Sequence, residues 1–151
     1  METLKYEKIL VPVDGSNNSL KAVSHASYLA SRLECEIGLL HVMVMPQDIY
    51  LYGHPGHPYI PSTANESIES MREKAGEVIL KAKKLLPEGI VIKDFIVEGS
   101  PGETIAKFAQ DNNFDLIIMG SRGLGLIKGV LMGSVSSYVI HNAKCSSMII
   151  K

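Results

Sequence analysis

The chain has 151 residues, 46% of them apolar, with 15 basic and 16 acidic side chains for a net charge of −1. That length and apolar content suit one domain, residues 1–151, with its own core, and the balanced charge offers no one-signed field to nucleic acid or an anionic membrane surface. No uncharged apolar run approaches the roughly 18 residues needed to cross a bilayer, charges at Glu2 and Lys5 interrupt any leader-like start, and Cys35 and Cys145 are too few for a disulfide framework, so a cytoplasmic protein with free thiols is expected.

Residues 8–13 (KILVPV) form the first apolar strand segment. Proline cannot donate to a sheet ladder, so regular pairing is expected to end near Val11, leaving Pro12, Val13 and Asp14 at the carboxyl end. Gly15, Ser16 and Asn18 supply turn and cap chemistry, and Ala22, Val23, Ala26, Leu29, Ala30 and Leu33 follow at helical spacing. Residues 36–45 (EIGLLHVMVM) read as a second buried strand closed by Pro46. Residues 46–61 carry proline, glycine, histidine and tyrosine without a period and are expected to be a long loop. Thr63 to Glu66 fits a capping box, and Ile68, Met71, Ala75, Val78, Ala82 and Leu85 mark the longest helix, stopped by Pro87 and Gly89.

Residues 90–97 form a third strand, and Ser100-Pro101-Gly102-Glu103 opens a third helix. Residues 115–119 give a fourth strand, residues 134–141 a fourth helix and residues 147–151 a fifth strand. Strands alternating with helices predict an α/β fold, a parallel sheet with right-handed crossovers and helices on both faces. Ligands of such sheets sit beyond the carboxyl ends of strands where strand order reverses. Asp14 ends the first strand and Gly120 the fourth, so these two strands are expected to be neighbours that bracket a site.

Between the fourth strand and the fourth helix run Gly120, Gly123, Gly133 and Ser134. Small residues at a helix start expose backbone N–H groups to an anion, which makes a phosphate cradle; the alternative is a long turn that merely needs glycine. Neither G-x-x-x-x-G-K-[ST] nor G-x-G-x-x-G occurs here, since Gly123-Leu124-Gly125 leads to Lys128 rather than glycine. Asp14 suits ribose or adenine hydrogen bonds, and equally suits helix capping. Arg122 and Lys128 suit a polyphosphate or plain solubility. The apolar residues Leu124, Leu126, Ile127, Val130, Leu131 and Met132 predict a loop that packs on something. His54 and His57 lack further ligands at metal-site spacing, His41 reads as a hydrogen-bonded core residue, and His25 and His141 as helix surface. No nucleophile elbow, H-E-x-x-H or paired carboxylate is present.

KILVPVDGS, LLHV, VEGSPGETI and above all Gly120-x-x-Gly123-x9-Gly133-Ser134 make the chain resemble the universal stress protein family, in its ATP-binding branch. The resemblance spans nearly the whole chain and implies a five-stranded parallel sheet of order 3-2-1-4-5, Rossmann-like and similar to the adenine nucleotide alpha hydrolase fold. It implies Pro12, Val13 and Asp14 against the adenosine and Val42 holding adenine through its backbone. It places Met119, Gly120, Arg122 and Gly123 along the ribose and phosphate path, and has Gly133, Ser134, Val135 and Ser136 present backbone N–H groups and hydroxyls to phosphates that carry Mg²⁺ or Mn²⁺. It further implies a homodimer through the fifth strand, although Cys145-Ser146-Ser147 stands where the family often has Pro-Val. The function implied is a nucleotide-dependent regulatory module in stress response, read by a protein partner. A slow ATPase or nucleotidyl transferase at the same site is the alternative.

Overall fold

The structure, a computed structural model, describes residues 4–46, 62–125 and 131–151, with the side chains of 62–65 left aside. The elements in chain order are β1 (Lys8–Pro12), α1 (Asn17–Leu33), β2 (Glu36–Met43), α2 (Ser62–Lys83), β3 (Ile92–Glu98), α3 (Pro101–Asp111), β4 (Leu116–Gly120), α4 (Ser134–Asn142) and β5 (Ser146–Ile150). The strands form one parallel sheet in the order β3-β2-β1-β4-β5. The chain therefore reverses direction across the sheet between β1 and β4, the adjacency expected from Asp14 and Gly120.

Both sheet faces are covered, because each strand side chain alternates between them. On one face Ile9, Val11, Ile37, Leu39 and Ile118 pack against α1 and α2 through Ala22, Val23, Ala26, Ile79 and Ala82. On the other, Leu10, Leu40, Ile117 and Met119 meet Ile105 and Ala109 of α3 and Val139 of α4, with Phe114 at the edge. The central strands are apolar, β4 throughout and β1 from Ile9 onward, because both of their faces are buried. Burying each large aliphatic side chain contributes about 1.5–3 kcal/mol, so these two layers set where every strand end must lie.

Several boundaries differ from the expectation. Pairing of β1 with β2 continues through Pro12 opposite Leu40, one residue past Val11. The physical reason is direction. The Val13 N–H bonds Leu40 O at 2.8 Å and Asp115 N–H bonds Lys8 O at 2.9 Å, so odd residues of β1 address β2 and even ones address β4. Pro12 lacks its hydrogen on the β4 side, where the ladder has already closed at Leu10 opposite Ile117. α2 begins at Ser62, so Thr63 lies inside the helix instead of capping it, and its regular part stops at Lys83. β2 ends at Met43 rather than Met45, β3 starts at Ile92, and β5 starts one residue early at Ser146. The expected 46–61 loop lies, after Pro46, outside the described residues.

Candidate functional site

Past Leu10 and Ile117 the ends of β1 and β4 separate, and a cleft of about 810 Å³ opens between them. That volume falls in the usual range for small-molecule and cofactor sites. Its walls come from Pro12 at the end of β1 with Val13 and Asp14 beyond it, Val42 on β2, Met119 and Gly120 at the end of β4 with Arg122 and Gly123 beyond it, and Gly133 to Ser136 at the start of α4. Every residue that the family resemblance assigns to the nucleotide lies on this one cleft. Residues the sequence reading had not assigned to it join the wall, notably His41, Val44, Pro101, Ile105 and Leu124. Pro101 and Ile105 arrive through packing of α3 on α4, where Tyr138 sits over Gly102, a contact with no local sequence signal.

One end of the cleft offers a backbone edge. In β2 the even residues address β1, as the Val13–Leu40 bond shows, and the odd ones address β3, as Gly99 N–H to Met43 O at 3.1 Å shows. The next rung of the parallel ladder would carry the Val42 N–H to Val13 O. No such bond forms; Val13 O instead accepts from His41 Nδ1 at 2.8 Å. Val42 thus keeps an N–H donor and a C=O acceptor side by side, unpaired among the described residues and facing the cleft.

The other end offers a helix terminus. Gly133 stands at the N-cap of α4 with no side chain to cap it. Its own N–H is taken by Ser121 O at 2.7 Å, but the N–H groups of Ser134, Val135 and Ser136 meet no acceptor among the described residues. Such orphan donors at the positive end of a helix favour an anion. The contrast with α1 is direct, because there Ser16 Oγ accepts the Ser19 N–H at 3.2 Å. Ser136 is buried, and its Oγ reaches Ser121 O at 2.8 Å and Gly133 O at 3.1 Å. Its single hydroxyl hydrogen is therefore directed inward and clamps the loop to the helix, and its backbone N–H is what it presents outward. Arg122 is half-buried and also lines the cleft.

Asp14 links the two ends. Its Oδ1 accepts the Ser16 N–H at 2.9 Å, an Asx-type turn before α1, and its Oδ2 accepts the Leu124 N–H at 3.1 Å. Asp14 thus shapes the helix entry, and it also stands on the cleft wall with lone pairs to spare. Among the described residues no group of three or more His, Cys, Asp or Glu side chains is arranged to hold a metal ion. His54, His57 and Lys128 lie outside the described residues. His25 and His141 are exposed on their helices, as expected. No helix among the described residues is long and apolar enough to cross a membrane.

Strand order and cleft together define a doubly wound α/β protein with a ligand-sized crevice at its switch point. The Universal stress protein family model matches residues 5–151, and the chain belongs to that family. Universal stress protein MJ0577 of Methanocaldococcus jannaschii is 34% identical over 157 residues, covering 99% of this chain and 97% of its own length. Its solved structure superposes with a TM-score of 0.82 over 98% and 97% of the two chains. MJ0531 of the same organism is 33% identical over 97% of this chain and 82% of its own length. The UspA structure from Lactobacillus plantarum gives a TM-score of 0.83 at 26% identity, over 99% and 100% of the chains. An Arabidopsis thaliana family protein with AMP bound shares the fold at 22% identity and a TM-score of 0.60, over 96% and 91% of the chains.

Proposed function

We propose that this chain binds ATP in the β1–β4 cleft, with Mg²⁺ or Mn²⁺ carried on the phosphates, and works as a nucleotide-dependent regulatory module in stress response. The observation that carries the proposal is the pairing of two unsatisfied backbone sets across one cleft. The Val42 N–H and C=O match the donor–acceptor edge of adenine, and the first-turn amides of α4 match phosphate oxygens. Asp14 lies between them for the ribose hydroxyls, and Pro12, Val13, Met119, Gly120, Arg122, Gly123, Gly133, Ser134, Val135 and Ser136 complete the wall. The AMP held by the Arabidopsis relative is in keeping with an adenine nucleotide. The cleft itself offers a bare cation little, since Asp14 is the one carboxylate among the described residues that line it. The metal therefore comes with the nucleotide.

Cys35 and Cys145 are free thiols, which suits a cytoplasmic setting. β5 forms an edge of the sheet without a charged side chain and with Met148 partly exposed, which suits pairing with a second copy. A further protein partner would read the surface around the occupied cleft. The test is chemical identification of any nucleotide released when the purified protein is heat-denatured, followed by calorimetric titration with ATP and Mg²⁺. Binding below millimolar concentration is expected; no adenine nucleotide bound at millimolar ligand overturns the reading. A timed hydrolysis assay separates a switch, with negligible turnover, from a slow ATPase.

A further inference from the structure

We infer that His41 is a positioning residue for base recognition: by capping the Val13 carbonyl it ends the β1–β2 ladder one rung early and leaves the Val42 backbone free to select adenine. The inference rests on the proposed nucleotide reading and adds to it the group that makes the base edge available.

The geometry runs in one direction. Val13 follows the last paired residue of β1, and its N–H still bonds Leu40 O at 2.8 Å, so its carbonyl is still aligned with β2. In a parallel ladder that carbonyl would take the N–H of the residue two beyond Leu40, which is Val42. The imidazole of the intervening residue, His41, reaches it at 2.8 Å instead. A carbonyl oxygen only accepts, so the hydrogen must sit on Nδ1 of His41, and the tautomer is set by this bond. The ring serves as a local substitute for the next rung. It satisfies Val13 O without using a backbone donor, so the sheet stops with the Val42 N–H and C=O facing the cleft.

A free N–H beside a free C=O fits adenine, whose N1 accepts and whose 6-amino group donates. In the same pose it mismatches guanine, which presents N1–H as donor and O6 as acceptor on that edge. Selectivity by backbone alone needs the strand edge to be open, and among the described residues His41 is the side chain that holds it open.

The experiment has two arms on the full chain. In the first, hydrogen exchange of the Val42 amide is followed by NMR without nucleotide, in the wild type and in His41→Phe, which removes the donor while keeping a flat ring. Fast Val42 exchange in the wild type, slowed at least tenfold in His41→Phe, is expected. Slow exchange in the wild type, or unchanged exchange in the variant, overturns the inference whatever binds in the cleft. The second arm titrates ATP and 1-deaza-ATP, which lacks the N1 acceptor. The wild type should lose about fivefold in affinity for 1-deaza-ATP, in line with one hydrogen bond of about 1 kcal/mol. His41→Phe should treat the two ligands alike, and His41→Gln, whose amide can still donate, should restore the difference. Equal discrimination in the wild type and His41→Phe overturns the inference while leaving nucleotide binding standing. No ATP binding by the wild type fails the parent reading and this one with it. Should His41→Phe not fold, the wild-type exchange rate and the His41→Gln titration still decide the matter.

Discussion

The Asp14 carboxylate crosses from the end of β1 to accept the Leu124 N–H at 3.1 Å, and it can do so because Gly123 has no Cβ. A Cβ built on Gly123 would lie 2.5 Å from Asp14 Oδ2. The glycine that resembles part of a phosphate motif is therefore also the residue that lets the carboxylate bind the loop.

Gly123→Val should break this contact and weaken ATP binding by at least about tenfold, a value near one charge-assisted hydrogen bond. Its site is an exposed loop, so global stability should change by less than about 1 kcal/mol. Calorimetry and urea denaturation measure the two quantities separately. Unchanged affinity would remove the Asp14–Leu124 link from the binding account.

Gly133 and Gly120 should behave differently although both belong to the same motif. A Cβ on Gly133 meets its nearest neighbour, Ser121 O, at 3.4 Å, which the protein accommodates. Gly133→Ala should therefore lower nucleotide affinity by narrowing the space above the α4 amides, at a stability cost of about 1 kcal/mol or less. A Cβ on Gly120 would lie 2.8 Å from Asn18 Cβ and 2.9 Å from the Asn18 backbone carbon. Gly120→Ala should push α1 off β4 and destabilise the fold by about 1–3 kcal/mol. Equal stability losses in the two variants would contradict this assignment.

Asp115 tests the opposite pole of the sheet. Its Oδ2 accepts the N–H groups of Glu7 and Lys8, each at 2.8 Å, where β1 begins beside β4. Asp115→Ala should destabilise the chain by about 1–3 kcal/mol, because two backbone donors lose their acceptor. Nucleotide affinity should remain within about twofold, since the carboxylate is remote from the cleft wall. A large affinity loss in folded Asp115→Ala protein would show that the two poles are coupled.

Burial raises both thiols above the ordinary range, and Cys35 also donates to Tyr6 O at 3.0 Å. A group whose pKa is higher folded than unfolded contributes stability that is complete below the unfolded value and lost as pH rises through the folded one. Thermal stability should therefore begin to fall above about pH 8.5, the unfolded thiol value. The alkaline slope should be smaller in Cys35→Ala than in the wild type, even if the variant melts lower throughout. Parallel slopes in melts from pH 7 to 10 would refute the thiol contribution.

Much of this fold was legible because its signals are local. Apolar strands without alternation and helices with a 3–4 residue stripe can be read one segment at a time, and the adjacency of β1 and β4 follows from the ligand-like residues at their ends. What escaped was the direction of hydrogen bonds. Whether Pro12 can stay in the ladder depends on which neighbour its nitrogen faces, and that parity is set by β2 and β4 together. The same holds for His41, whose ring reads as core until the Val13 carbonyl is seen beside it. Ser136 shows the converse case. Its position at a helix start was legible, but the inward turn of its hydroxyl depends on Ser121, fifteen residues earlier in the chain.

Pro12 carries one further implication. A nitrogen without hydrogen on the β4 side removes the donor that the next rung between β1 and β4 would need. The chain's own chemistry thus works against closing the furrow at that level. Association with a nucleotide then requires no prior strand separation, and its rate should follow diffusion and ionic strength rather than a slow opening of the sheet.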